Sequence, residues 1–396
     1  MSTEVAAGRT HRLRAVMRQE ETVTPLELFF DLVFVLAITQ CTALMSSDPT
    51  WPGVARGMLV LGVLWWSWVG WAWLTSAVDP EEYDVRLVMF AAMAALLVAA
   101  LCVPQAFGNA ALIFALAYAF VRIAHIALFL IASRDDPGFR TSVVGLARST
   151  AIGVGLLVAA SFADNLLQGG LWALALALDM GGPYFFGAEG WKLAPHHFAE
   201  RHGLIVIIAL GESIVAVGVG AGAHVDLGIV AAAVVGTAVA AALWWLYFDI
   251  VAIAATRRLA DAEPGLIQNE MARDSYSYAH FPMVAGIVLV ALGMKKTLGH
   301  VEDPLKLVPA AALMGGTAMY LLAHVGFRYR HIHTVNTRRL GLAVLLVAFV
   351  PLAVEIPALV TLTVLAVALA LLIMIETRSY GDARDRVRHE LRHEMQ

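Results

Sequence analysis

Two acids stand inside long apolar runs, Asp31 in LELFFDLVFVLAI and Glu212 in HGLIVIIALGESIVAV. A charge at the bilayer centre costs ~2.5–3.5 kcal/mol on insertion scales, so it persists where it is paired or lines a polar cavity. A carboxyl group kept from water also takes up a proton more readily, which is the chemistry that proton coupling requires. Glu27 lies four residues before Asp31 and so shares its helix face. Arg86 opens another apolar run, and Tyr118, Arg122 and His125 form one helical stripe. Asp179, Glu200, Arg201, His202, Asp249, His280 and His324 lie in or at the edges of further runs. The candidates for an ion or proton pathway are Asp31, Glu212, Glu27, His202, Arg86, Arg122, His280 and His324.

Pairing between helices is the alternative for the same side chains: Asp31 and Asp249 could each meet Arg86, Arg122 or Arg201. Histidine titrates near neutral pH and suits a relay, but His125, His280 and His324 could equally be packing residues or ligands. A metal site needs three or four converging ligands, and no histidine spacing here enforces one. No metal, cofactor or catalytic group is therefore expected. A metal-dependent hydrolase using His280, His324 and Glu212 is kept as an alternative, without a readable nucleophile–base pair. His196, His197, His331 and His333 fall between runs and are expected to face solvent.

These residues need helices to hold them. The 396 residues are 60% hydrophobic and 15% charged, with a mean hydropathy of +0.75, which describes a polytopic all-α membrane protein. A span needs ~20 residues. Apolar runs near 25–45, 53–77, 84–104, 107–132, 141–163, 166–186, 201–222, 227–253, 275–295, 307–327, 338–355 and 357–376 give about twelve helices, with the last break resting on Glu355, Ile356 and Pro357. No room is left for a sizeable soluble domain, so the bilayer itself is the main partner. The net charge of −4 gives no reason to expect nucleic acid. Cys41 and Cys102 both lie in apolar runs and read as buried thiols.

Arg9, Arg12, Arg14 and Arg18 precede the first run, which lacks a small-residue cleavage site and reads as an uncleaved anchor. With this end in the cytoplasm, Arg134, Arg140, Arg257, Arg258, Arg273, Arg328, Arg330, Arg338 and Arg339 fall inside, against Arg56, Lys295, Lys296 and Lys306 outside. That bias places both termini in the cytoplasm.

The two halves echo each other. Each opens with an acid in its first run, Asp31 or Glu212. Each carries a double tryptophan in its second, Trp65-Trp66 or Trp244-Trp245. Tyr118 with Arg122 is answered by Tyr320 with His324, and Arg148 by Arg338-Arg339. The expected organisation is a basic N-terminus (1–24), two parallel six-helix repeats (25–190 and 191–376) and a charged tail (377–396). Parallel repeats recur in transporters, with sites near their interface. Trp65, Trp66, Trp68, Trp71 and Trp73 read first as interface anchors and lipid packing, and otherwise as cavity walls. Gly218 and Gly222 permit close helix approach, and Gly211 would let a neighbour come close to Glu212. A monomer and a homodimer are both compatible with this pattern.

VTPLELFFDLVFVLAITQ and APHHFAERHGLIVIIALGESIVAVG resemble the signature stretches of the bacterial low temperature requirement A family. The resemblance spans the whole chain and implies a multi-pass inner-membrane protein named for a growth phenotype in the cold. It carries over no catalytic or ligand residues. The Phe29-Phe30-Asp31 run also resembles the FSD motif that opens each six-span repeat of a potassium and proton channel family. Here Phe30 replaces the serine, Glu27 stands where an arginine is expected, and the second half has Gly211-Glu212-Ser213. The expected function is a transporter or channel for a small ion or solute, linked to protons. A non-transporting scaffold or sensor, whose acids and arginines only pair, is the main alternative.

Overall fold

A computed structural model describes residues 15–18, 22–187, 189–221, 226–249 and 251–394, with side chains as far as 379. Arg9, Arg12, Arg14 and Gly222 lie outside the described residues. Every expected apolar run is helical: α1 (Pro25–Ser47), α2 (Trp51–Ala77), α3 (Tyr83–Cys102), α4 (Ala111–Ala132), α5 (Pro137–Ala160), α6 (Asn165–Phe185), α7 (Pro195–Ala221) and α8 (Leu227–Phe248). Two short helices follow, α9 (Val251–Ala260) and α10 (Leu266–Met271), then α11 (His280–Gly299), α12 (Leu307–Ile332), α13 (Thr337–Ala353) and α14 (Ala358–Glu394). Among the described residues, ten helical stretches are long and apolar enough to cross a membrane. The chain is therefore a polytopic membrane protein. α13, at 17 residues, is shorter than those ten, and α6, which carries Gln168, Asp179 and paired glycines, is not among them.

Local chemistry sets the helix starts. Thr24 accepts from the Glu27 amide while Glu27 Oε2 accepts from the Thr24 amide at 2.9 Å, a reciprocal cap that fixes the Glu27 side chain at the head of α1. Asp136, Asp226 and Asn336 cap α5, α8 and α13 in the simpler way. Outward faces carry bare apolar side chains such as Phe29, Leu32, Ile123 and Val344, as lipid contact requires. In the FFD run Phe29 points outward while Phe30 and Asp31 are buried.

α2 and α11 are the most enclosed spans. α11 crosses α12 closely: a Cβ at Gly286 would lie 2.6 Å from the Gly316 carbonyl oxygen, so only glycine allows the two backbones to meet there. Neighbours in sequence form antiparallel hairpins. Gly57 meets Met45 and Asp31 meets Trp68 across α1 and α2, and Gly153 meets Asp179 while Gly182 meets Ser149 across α5 and α6. α1 and α7 instead run parallel, because Asp31 meets Arg201 and Thr39 meets Glu212. The packing order repeats: α1 lies against α2 and α3, α3 against α4, and α4 against α5, while α7 lies against α8 and α11, α11 against α12, and α12 against α13.

Candidate functional site

The seam between α1 and α7 holds a buried charge cluster. Arg201 reaches Glu27 Oε1 at 2.9 Å and Thr75 Oγ1 at 3.2 Å with one nitrogen, and Asp31 Oδ1 at 2.7 Å with the other. Its planar fork suits two acceptors held a helical turn apart, as Glu27 and Asp31 are. Glu27 also meets His197 Nε2 at 2.8 Å and Arg18 at 3.3 Å. Trp68 Nε1 donates to Asp31 Oδ1 at 2.9 Å, and the Arg201 guanidinium lies 5.7 Å from the Trp68 ring centre. Asp31 Oδ2 is buried and accepts no hydrogen bond among the described residues. Charges so enclosed persist because each has a counter-charge in contact.

Glu212 is held differently. Its Oε2 accepts from the Thr39 hydroxyl at 2.5 Å. Glu212 is buried, yet no cationic group forms an ion pair with it among the described residues. It follows Arg201 by eleven residues, which places it about 16 Å further along α7. Asp31 is near the start of α1, whereas Glu212 is well past the middle of α7. The residue level with Asp31 on α7 is Arg201, so the expected match between the two acids does not hold in depth. Nothing lies within 4 Å of a Cβ at Gly211, so no neighbour uses the space expected there.

Two further arginine–acid clamps sit deep in the bundle. Arg122 of α4 meets Asp179 of α6 at 2.9 Å, Thr150 at 2.6 Å and the Trp66 carbonyl at 3.3 Å. Arg339 of α13 meets Glu376 of α14 at 2.8 and 3.0 Å, His324 Nδ1 at 2.6 Å and the Leu246 carbonyl at 3.3 Å. Between the clamps runs a band of rings. His202 donates through Nδ1 to the Phe198 carbonyl at 2.8 Å, packs edge-on to Trp68 at 4.9 Å, and lies 5.2 Å from His280. His280 meets the Tyr247 hydroxyl at 2.8 Å and the Ser275 carbonyl at 2.9 Å. That carbonyl belongs to a π-helical turn, Ala272–Tyr278, whose Ser277 carbonyl also accepts from Trp65 Nε1 at 3.0 Å; such turns redirect backbone groups.

Of the eight candidates, Glu27 and Asp31 share one cluster, beside which His202 packs. Arg122 and His324 belong to separate clamps, His280 joins the ring band, and Glu212 lies apart on Thr39. Arg86 lies apart: it is exposed and binds Glu81 at 2.6 Å. His280 and His324 are each engaged by a tyrosine or an arginine, and among the described residues no group of three His, Cys, Asp or Glu side chains could hold a metal.

Several expectations are corrected. His197 and His331 are buried, His197 completely, because helices α7 and α12 extend past the apolar runs and carry them inward. Trp65, Trp66, Trp68 and Trp71 are core residues and not lipid anchors, since α2 is enclosed by other helices. Arg201, Asp179, Arg339 and Glu376 were not among the eight. An acid and an arginine at matching ends of different runs is the signal that could have singled them out.

Comparison with known sequences accords with this architecture. The family model described as bacterial low temperature requirement A protein (LtrA) matches residues 22–374, and the chain belongs to that family. An uncharacterized protein of Rhizobium meliloti (strain 1021) is 30% identical over 329 residues, which cover 80% of each chain. No solved structure matches.

Proposed function

We propose that this member of the low temperature requirement A family moves a small ion or solute across the membrane, coupled to protons through Glu212. The observation that carries the reading is the contrast in counter-charge along α1 and α7. Asp31 and Glu27 are ion-paired with Arg201, whereas Glu212 has a hydroxyl partner and no ion pair among the described residues. Lys295 is the cationic group that acts on Glu212, from beyond ion-pair distance. A buried carboxyl group without a counter-charge in contact is more easily held neutral, and a change in its surroundings can make it gain or release a proton. Thr39 can donate to the ionised form and accept from the protonated one.

In the same reading the chain has twelve crossings in two parallel six-helix repeats, with both termini cytoplasmic. The parallel course of α1 and α7 supports this, because an alternating chain regains its direction only after an odd number of intervening crossings, and α2 to α6 supply five. The shared packing order of the halves points the same way. A scaffold or sensor is the second reading, favoured by the buried ion pairs of Arg201 and of the two clamps.

The test is flux into liposomes holding purified protein, read with pH- and potassium-sensitive dyes. Wild type, Glu212→Gln and Asp31→Asn are compared after each is shown to be folded. The expected result is flux in wild type and none with Glu212→Gln. Unchanged flux in Glu212→Gln overturns the role of that acid, and absence of ion flux in folded wild type favours the scaffold.

A further inference from the structure

A groove of about 540 Å³ lies between the start of α2, in the first half of the chain, and α11, α12 and α13 of the second. Its walls include Trp51, Leu289, Leu307, Gly315, Val347 and Pro351. Among the described residues no charged side chain lines it, and its polar group is the Trp51 indole N–H. Trp51, Leu307 and Val347 are exposed, so the groove opens outward, where lipid lies. The hollow exists because α12 turns small residues towards it: nothing lies within 4 Å of a Cβ at Gly315.

The two ends of the groove differ. Leu307 opens α12 and Gly315 follows eight residues later, so the groove runs about 12 Å from the helix end into the apolar part of the bundle. At the shallow end Trp51 is the first residue of α2, at the level that indole rings favour in a bilayer. Lys306 immediately precedes α12 and is exposed there. Lys296 stands seven residues after Leu289, two turns along the same face of α11. The charge of Lys306 acts on Lys296, so the two ammonium groups share the shallow end. Among the described residues no carboxylate acts on Lys296. Asp303, the acid closest to Lys306 in the sequence, is turned to His300 at 3.6 Å.

We propose that this groove seats one acyl chain of an anionic phospholipid whose phosphate is held by Lys296 and Lys306. The groove has the volume of a small-molecule site. Its walls give water no partners, and left empty they would forfeit dispersion contacts. A hydrocarbon chain meets both conditions. Lysine holds phosphate as a point charge, and each basic side chain at a membrane surface contributes ~1 kcal/mol towards anionic lipid. The same two charges repel a cationic amphiphile. The groove contains neither Glu212 nor Thr39, so the proposal stands whether or not that acid couples transport.

The test is native mass spectrometry of the delipidated full-length protein in detergent, titrated with dioleoylphosphatidylglycerol or with dioleoylglycerol, which has the same tails and no phosphate. Saturable binding of one phosphatidylglycerol is expected, with weaker binding of dioleoylglycerol. Gly315→Leu fills the hollow without a clash and should raise Kd for both lipids about tenfold, equivalent to ~1.4 kcal/mol. Gly326→Leu, on the same helix outside the groove and equally free of neighbours, should change neither. The double variant Lys296→Gln/Lys306→Gln should bring phosphatidylglycerol down to the affinity of dioleoylglycerol and leave the latter unchanged. Melting temperature is measured for every variant, and Val347→Trp, which fills the groove from α13, decides the matter if Gly315→Leu does not fold. Wild-type lipid binding in the filled variants, or a preference for phosphatidylglycerol that survives loss of both lysines, would overturn the proposal.

Discussion

Asp31 and Glu212 lie on the same pair of helices, yet they are held in opposite ways. Asp31 shares one oxygen between Arg201 and Trp68, beside Glu27 with its own basic partners. Glu212 accepts from Thr39. The difference teaches that an acid in an apolar run has no role by virtue of depth alone. Counter-charge decides whether it is a fixed strut or a group free to change its proton. The arginine–acid clamps give the complementary lesson. One half draws its arginine from α4 and the other from α13, yet each closes on an acid of the last helix of its half and on a carbonyl of the second. His324 fills the place after Tyr320 that Arg122 fills after Tyr118.

Removing the counter-charge at the first acid gives the largest expected effect. Arg201→Met strands the buried Asp31, while Glu27 keeps His197 and Arg18, and should cost about 3–5 kcal/mol, read as loss of folded protein on size-exclusion chromatography or a large fall in Tm. Trp68→Phe removes one donor to an ionised oxygen and should cost about 1.5–3 kcal/mol in thermal unfolding. Adding Glu27→Gln and Asp31→Asn to Arg201→Met should recover most of the first loss, because an uncharged cluster no longer carries a stranded charge. A triple variant as unstable as the single one would mean that packing of the arginine stem matters more than its charge. Glu212→Gln should change stability least, by under about 1 kcal/mol, since the amide keeps a hydrogen bond to Thr39. A fall in Tm as large as that of Arg201→Met would erase the contrast between the two acids.

Much of the scaffold was legible in the sequence, because lipid demands long apolar helices and the runs have that length. The i,i+4 spacing puts Glu27 and Asp31 on one face, and the run pattern offers Arg201 among the partners of Asp31. Pairing across the chain was harder to read. Arg86 looked as near as Arg201 along the run pattern, but the α1–α7 contact selects Arg201, and Arg86 finds Glu81 beside it. His197 read as a loop residue because the polar first turn of α7 interrupts the apolar pattern. Trp65 and Trp68 read as lipid anchors because composition does not reveal that α2 is central. Depth within a helix was also hidden, which is why Asp31 and Glu212 looked equivalent.

The seam between α1 and α7 has a consequence for biogenesis. Arg201 lies 170 residues after Asp31. At roughly 5–20 residues per second of synthesis, the first helix waits on the order of ten to thirty seconds for that partner. Arg18, nine residues before Glu27, is on hand from the start, but Asp31 has no basic neighbour so close in the chain. The nascent protein must therefore keep α1 near water or the insertion machinery until α7 arrives, and the first helix of the second half is the one that neutralises the first helix of the chain.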